Sequence, residues 1–174
     1  AGQRQALERQ CADEGLDTAS PEGAEVLGWV EGFLKGAFAR KLAAAGAGRV
    51  HRELPFLLRL GGEGGGFALH LKGQIDLLFE DEDGAAVVVD YKASRRPPGG
   101  LDPYSFQLDC YALAARRFVA DGVQLRTGIC FLREERPEPE LRTLSLGDAG
   151  DFERILVDTA QQLCARPLSG EWPG

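Results

Sequence analysis

The chain has 174 residues, 44% of them hydrophobic and 27% charged, with 20 basic against 27 acidic side chains and a net charge of −7. That length suits one domain with its own core, and no apolar run is long enough to span a bilayer as a helix. The acidic balance argues against a dedicated module that grips nucleic acid by charge, but it is tolerable for a catalytic domain that gathers carboxylates around a metal and is handed its nucleic acid by a neighbour.

The first 19 residues are polar, lack the apolar core of a signal peptide, and predict one short helix as an N-terminal extension. "TASPEGAEVLGWVEGFLKGAFARKLAAAG" then predicts one long helix to about residue 45. Ser20 suits the N-cap and Pro21 the first helical position. Val26, Trp29, Val30, Phe33, Leu34 and Phe38 give an apolar stripe, with Trp29 and Phe33 read as core. Gly46 and Gly48 end the helix.

Residues 50–60 read as a strand in which Pro55 marks an edge or a bulge. A glycine-rich loop at 61–66 leads to a second strand at 67–80, long enough that Gly73 is expected to bend or bulge it. The acidic run 80–83 reads as a solvated turn, with Asp83-Gly84 as the hairpin signal. Residues 85–92 form the third strand. After the loop 94–100, residues 101–122 predict a helix capped by Asp102, opened by Pro103 and closed by Gly122. A strand at 123–132, a solvated loop, a fifth strand at 140–146 and an amphipathic helix at 148–166 follow. The fold class is α/β, with a central mixed sheet flanked by helices, and the helical connection from the third strand to the fourth permits a parallel crossover pair. One domain is expected over 1–174, with an extension at 1–19, a core at 20–146 and a C-terminal helix and tail at 147–174.

Cys11, Cys110, Cys130 and Cys164 are widely spaced, and no CxxC pair occurs. This argues against a local zinc site or an iron–sulfur cluster. Cys110 and Cys130 fall inside predicted elements, where cysteine serves as a small hydrophobe. A reducing, cytoplasmic setting is expected.

The chemistry lies in "GQID" on the second strand and "VVVDYKAS" on the third. Pairing about the turn at 82–83 sets Asp76 opposite residue 89 or 90. Two opposed carboxylates, Asp76 and Asp90, repel each other unless a cation offsets them. Lys92 shares a face with Asp90 because strand side chains alternate. Carboxylate oxygens suit Mg²⁺, with Mn²⁺ as a substitute. A lysine beside such a metal can position water or stabilise charge on phosphorus. Gln107 and Tyr111, four apart, share one helical face. Arg95 and Arg96 can hold a phosphate or merely solvate a loop. Glu53 can face the site or serve the strand. Taken alone, a D-x-K tripeptide is more often a solvated strand end with a weak ion pair.

"GQIDLLFE", "VVVDYKAS" and "QLDCYALAA", in that order, together with "RELPF", resemble the motifs of the PD-(D/E)xK nuclease superfamily, and within it the nuclease domain of RecB- and AddA-type helicase–nucleases. The resemblance covers residues 50 to 132 well. It implies a restriction-endonuclease-like core in αβββαβ order. It implies metal ligation by Asp76, Asp90 and the Tyr91 carbonyl, with Lys92 as the catalytic lysine. Gln107 and Tyr111 would support the site and the DNA strand. It implies a deoxyribonuclease of double-strand-break repair, fed a single strand by a helicase domain of the same polypeptide, with a partner subunit and no membrane. No GxxxxGK[ST] segment occurs, so any use of ATP would reside outside this chain. The family's G-x-x-x-H metal-ligand motif is not found. His70 lies six residues from Asp76, about 20 Å along a strand, and His51 is an unconvincing substitute. The missing methionine is expected of a piece of a longer protein that carries the motif upstream. The alternatives are an inactive nuclease-like domain with a structural or tethering role, and a stand-alone nuclease of the same superfamily.

Overall fold

The structure, a computed structural model, describes residues 2–62, 64, 66–144 and 146–165. The tail expected beyond the last helix, together with residues 63, 65 and 145 of the expected glycine loop and fifth strand, lies outside the described residues. In chain order the elements are α1 (Gly2–Asp13), α2 (Pro21–Lys35), α3 (Ala37–Ala45), β1 (Val50–Gly61), β2 (Ala68–Glu80), β3 (Ala86–Lys92), α4 (Ser105–Ala115), β4 (Leu125–Phe131), β5 (Glu140–Leu144) and α5 (Leu146–Ala165). The five strands form one sheet in the order β1-β2-β3-β4-β5. β3 and β4 pair in parallel across α4, and the other neighbours are antiparallel. This is the mixed, helix-flanked α/β sheet that the sequence predicts. Among the described residues no helix is long and apolar enough to cross a membrane.

The sheet is buried on both faces, which explains the unbroken valine run. Val87, Val88 and Val89 are fully buried. Val88 joins a core with Phe56, Leu58, Ile75 and Leu113 beneath α4 and α5. Val87 and Val89 join Phe38, Leu42, Leu77 and Phe79 beneath α3. Each such side chain contributes about 1.5–3 kcal/mol on burial. β3 is thereby held rigidly at the centre of the sheet, and its end has a fixed position. Cys110 and Cys130 are buried in this core, as expected, and burial pushes their thiols up to about 11 and about 12.

The expected long helix is two helices. Ser20 does cap the first, accepting from the Gly23 amide at 3.0 Å, with Pro21 at its start. At Gly36, however, the chain turns extended and its amide bonds the Phe33 carbonyl. Glu138, distant in sequence, then accepts from the Ala37 and Phe38 amides at 2.8 and 3.2 Å, capping α3. A remote carboxylate therefore starts a second helix where local propensity favours continuing the first. The break also moves the apolar stripe. Leu27, Phe38 and Leu42 are buried, whereas Trp29 and Phe33 are only half-buried. Trp29 instead stacks beneath the Arg133 guanidinium, 4.6 Å away.

Three other expectations change. Gly73 makes no bulge: it pairs regularly with Phe56, and a Cβ there would lie 2.5 Å from the Phe56 ring. The irregularity falls nearer the site. Leu54 pairs with Ile75 and Arg52 with Leu77, while Glu53, between them, takes a left-handed φ of 50°. Ile75 packs under α4 and Leu77 under α3, so β2 rotates between its faces at Asp76. The predicted helix 101–122 begins as a 3-10 turn at Asp102–Tyr104, and α4 ends at Ala115. Asp102 offers its carbonyl to Ser105 Oγ rather than a capping carboxylate. The i+3 bonds of Arg117 and Phe118 tighten the chain, and Gly122 (φ 82°) belongs to the turn into β4. Finally, the acidic run is not wholly solvated, because Asp81 is buried between Lys41 (2.6 Å) and Arg126 (3.2 Å).

Candidate active site

Strand β3 ends in Asp90, Tyr91 and Lys92, and the alternation of the strand sets the outer two apart from the middle one. Tyr91 points toward the α2–α3 side. Its ring stands edge-on to Phe33, with centroids 5.6 Å apart, and burial raises its phenol above the ordinary value. The tyrosine side chain is thus a packing element that faces away from the site, and only its backbone lies on the site's side.

Asp90 points the other way, toward α4, and is 2% exposed. Its Oδ1 accepts from Gln107 Nε2 at 2.8 Å and from the Tyr111 hydroxyl at 3.4 Å. Gln107 Nε2 also donates to the Tyr111 hydroxyl at 2.9 Å. The four-residue spacing on α4 therefore does place both side chains on one carboxylate. Lys92 Nζ lies 2.8 Å from Asp90 Oδ2 and donates to Gln107 Oε1 at 3.1 Å. Gln107 is thus read by both partners, its amide nitrogen on the acid and its oxygen on the base. The ammonium also lies 5.4 Å from the centre of the Tyr104 ring. A cation–π contact of this kind holds a lysine without neutralising it.

Asp76 arrives from β2 at the point where that strand rotates. The ladder between β2 and β3 runs to Leu77 opposite Val89, which extrapolates to Asp76 opposite Asp90, as expected. There the side chain takes over from the backbone, and Asp76 Oδ2 accepts from the Tyr91 amide at 3.0 Å. The Asp76 charge also reaches Asp90. Asp90's pKa is raised first by burial and further by Asp76, with Lys92 opposing through its hydrogen bond and charge. Tyr111 is likewise raised, chiefly by burial, so its hydroxyl keeps its proton and donates it toward Asp90.

One atom is less fully held. Asp90 Oδ2 is buried and meets a single partner, the Lys92 ammonium at 2.8 Å, whereas Oδ1 has two donors. A carboxylate oxygen held by one ammonium alone keeps acceptor capacity for a further ligand. Two carboxylates and no soft ligand fit a hard divalent cation, which Mg²⁺ sites typically hold with one or two carboxylates plus substrate phosphate and water. Among the described residues no three His, Cys, Asp or Glu side chains converge for a metal. The carboxylates available to a cation here are Asp76 and Asp90.

The remaining predicted residues sit apart from this cluster. Arg96 pairs with Glu140 at 3.2 Å, and its amide donates to Glu134, so it is committed to the loop. Arg95 is exposed one residue before it. Glu53 lies across from Asp76 in register but is exposed on its strained turn of chain. Two supports escaped the sequence reading. Tyr104, one turn before Gln107, faces Lys92. Phe56, seated over Gly73, stands edge-on to Tyr111 at 6.3 Å. Tyr104 carries a faint signal in its spacing from Gln107; Phe56 closes the segment "RELPF", but nothing local marks its contact with Tyr111.

The model of a family described as the PD-(D/E)XK nuclease superfamily matches residues 2–173. No curated protein matches the chain. Among solved structures, the crystal structure of SSO0001 is similar at 18% identity with a TM-score of 0.45, covering 92% of this chain and 70% of that one.

Proposed function

This chain belongs to the PD-(D/E)XK nuclease superfamily, a family of metal-dependent phosphodiester hydrolases, and we propose that it is a Mg²⁺-dependent deoxyribonuclease acting through Asp76, Asp90 and Lys92. The observation that carries this reading is the buried Asp90. It is gripped on one oxygen by Gln107 and Tyr111, while its other oxygen meets only the Lys92 ammonium.

Asp76 and Asp90 would hold the cation, with the Tyr91 carbonyl as a third oxygen. A bound divalent ion supplies charge to a phosphoryl oxygen and acidifies water. The chain's own residues do the rest. Gln107 fixes the orientation of both Asp90 and Lys92, so the acid and the base keep their relative geometry without an entropic search. The ammonium of Lys92, 5.4 Å from the centre of the Tyr104 ring, is placed to orient water or meet charge developing on phosphorus. Tyr111 donates to Asp90 and braces it against α4. Arg95 is free to meet a phosphate at the rim, Arg96 less so because Glu140 holds it. Glu53 is left outside the set because it is exposed.

The order of "GQID", "DYK" and "Q-x-x-x-Y" supports a finer reading. It is that of a RecB/AddA-type nuclease cutting a single DNA strand delivered by a helicase domain of the same polypeptide, with a partner subunit, in break repair and recombination. One observation favours a second reading, a nuclease-like domain without activity. No third His, Asp or Glu joins the two carboxylates among the described residues. A stand-alone nuclease of the superfamily uses the same site. The test is cleavage of labelled single-stranded DNA with Mg²⁺ or Mn²⁺, beside Asp90→Ala and Lys92→Ala. Cleavage that survives Asp90→Ala would falsify the site. No metal-dependent cleavage from the full polypeptide would leave the inactive reading standing.

A further inference from the structure

The first turn of α4 carries a large aromatic side chain that the fold leaves mostly in solvent. Phe106 is 62% exposed. It sits between Ser105 and Gln107, the residue that bonds Asp90. Its backbone is held on both sides. Arg142 donates to the Ser105 carbonyl at 3.0 Å, Ser105 Oγ donates to the Asp102 carbonyl, and Gln107 is locked on Asp90 and Lys92. Its ring meets Phe152 of α5 edge to face at 5.7 Å, which fixes its tilt and leaves most of its surface in water.

We propose that Phe106 is a stacking platform for a base of a single-stranded nucleic-acid substrate whose backbone phosphate lies at Asp76, Asp90 and Lys92. The inference rests on the nuclease reading of that site. Charge is what decides the occupant. The chain carries −7 overall, so its long-range field repels a polyanion rather than attracting it. An acidic nuclease domain must hold its strand with contacts that do not depend on net charge. Stacking of a base on an aromatic ring does this, is indifferent to sequence, and is worth about 1–3 kcal/mol per base. It is also selective. The bases of a duplex are already stacked on one another and present only their edges in the grooves. An exposed ring on a rigid helix can therefore engage a single strand without unpairing anything, and cannot engage a duplex. Phe106 would then set strand preference, while the neighbouring Gln107 serves the chemistry.

The test is binding of a fluorescein-labelled oligothymidylate and of a matched duplex to the protein in the presence of a chelator, followed by anisotropy, with cleavage measured separately. Phe106→Ala should weaken single-strand binding by about 5- to 150-fold and change duplex binding by less than about twofold. Phe106→Trp should restore single-strand binding, and its emission should be quenched by the oligonucleotide. Phe106→Leu, apolar but without a π face, should not restore it. Equal losses on single strand and duplex, full rescue by leucine, or unchanged binding each overturn the platform; unchanged binding would leave Phe106 and Phe152 as a protein-contact patch. The two readings fail separately. A metal-dependent wild-type nuclease with unaltered Phe106→Ala binding loses the platform alone. A protein that shows the Phe106 pattern but never cleaves loses the nuclease reading alone.

Discussion

Two aspartates are buried near the ends of the central strands, and they have opposite environments. Asp81 follows β2 and lies against the start of β3, where it meets two cations, Lys41 and Arg126, one on each oxygen. Arg126 also binds Asp83, whose carboxyl it holds below the ordinary range. Asp90, at the far end of β3, meets one cation and two neutral donors, keeps one oxygen whose single partner is Lys92, and is pushed above the ordinary range. A buried charge that is fully paired is a structural device, while one left short of partners is held ready for a ligand. The first end of the sheet is closed electrostatically, and the second is open.

The widest separation should come from activity. Asp90→Ala should lower metal-dependent cleavage by about 10³-fold or more, since metal-derived stabilisation of several kcal/mol at 1.36 kcal/mol per tenfold is lost. Asp81→Ala should leave the turnover of folded protein within about twofold; a comparable loss there would erase the contrast. Next, Gln107→Ala should cost about 10- to 100-fold in cleavage, the range for residues that orient metal ligands, with chain stability little changed. An effect on stability alone would demote Gln107 to a packing residue.

Stability should order the two aspartates in reverse. Asp81→Ala should lower the unfolding free energy by about 2 kcal/mol, because charged hydrogen bonds are lost but both cations can reach water. For Asp90 the sign follows from its raised pKa. Its contribution is fully present below the unfolded aspartate value and is lost as pH rises through the higher folded value. Metal-free melts of the wild type and Asp90→Asn should therefore diverge in favour of the variant as pH climbs from about 3 to 7, and added Mg²⁺ should favour the wild type. A difference that is flat with pH would contradict the open-site picture. The smallest effect concerns what holds the outer layer. Glu138→Ala should cost about 1 kcal/mol in thermal or denaturant melts through the lost cap of α3, without altering the site.

Much of the site was legible because its parts are local. A turn at 82–83 and a period of two are enough to bring Asp76 toward Asp90 and to align Lys92, and a period of 3.6 aligns Gln107 with Tyr111. What stayed hidden depends on residues distant in sequence. The helix break at Gly36 requires Glu138, which is 101 residues from Ala37. Gly73 looked like a bend because a glycine in a strand has two meanings, and only the Phe56 ring above it selects between them. The face change at Asp76 is a property of two strands together, expressed in the backbone of Glu53 rather than in any residue type.

The sequence by itself determined the α/β alternation, the antiparallel hairpin and the chemical inventory of the site, and permitted the parallel crossover, because these follow from periodicity, turn residues and spacing within short windows. The tertiary structure alone decided which buried aspartate is satisfied and which is left open. That distinction depends on where Lys41, Arg126, Gln107 and Tyr111 come to rest, and Coulomb energies and desolvation are fixed by those positions and not by the order of residues along the chain.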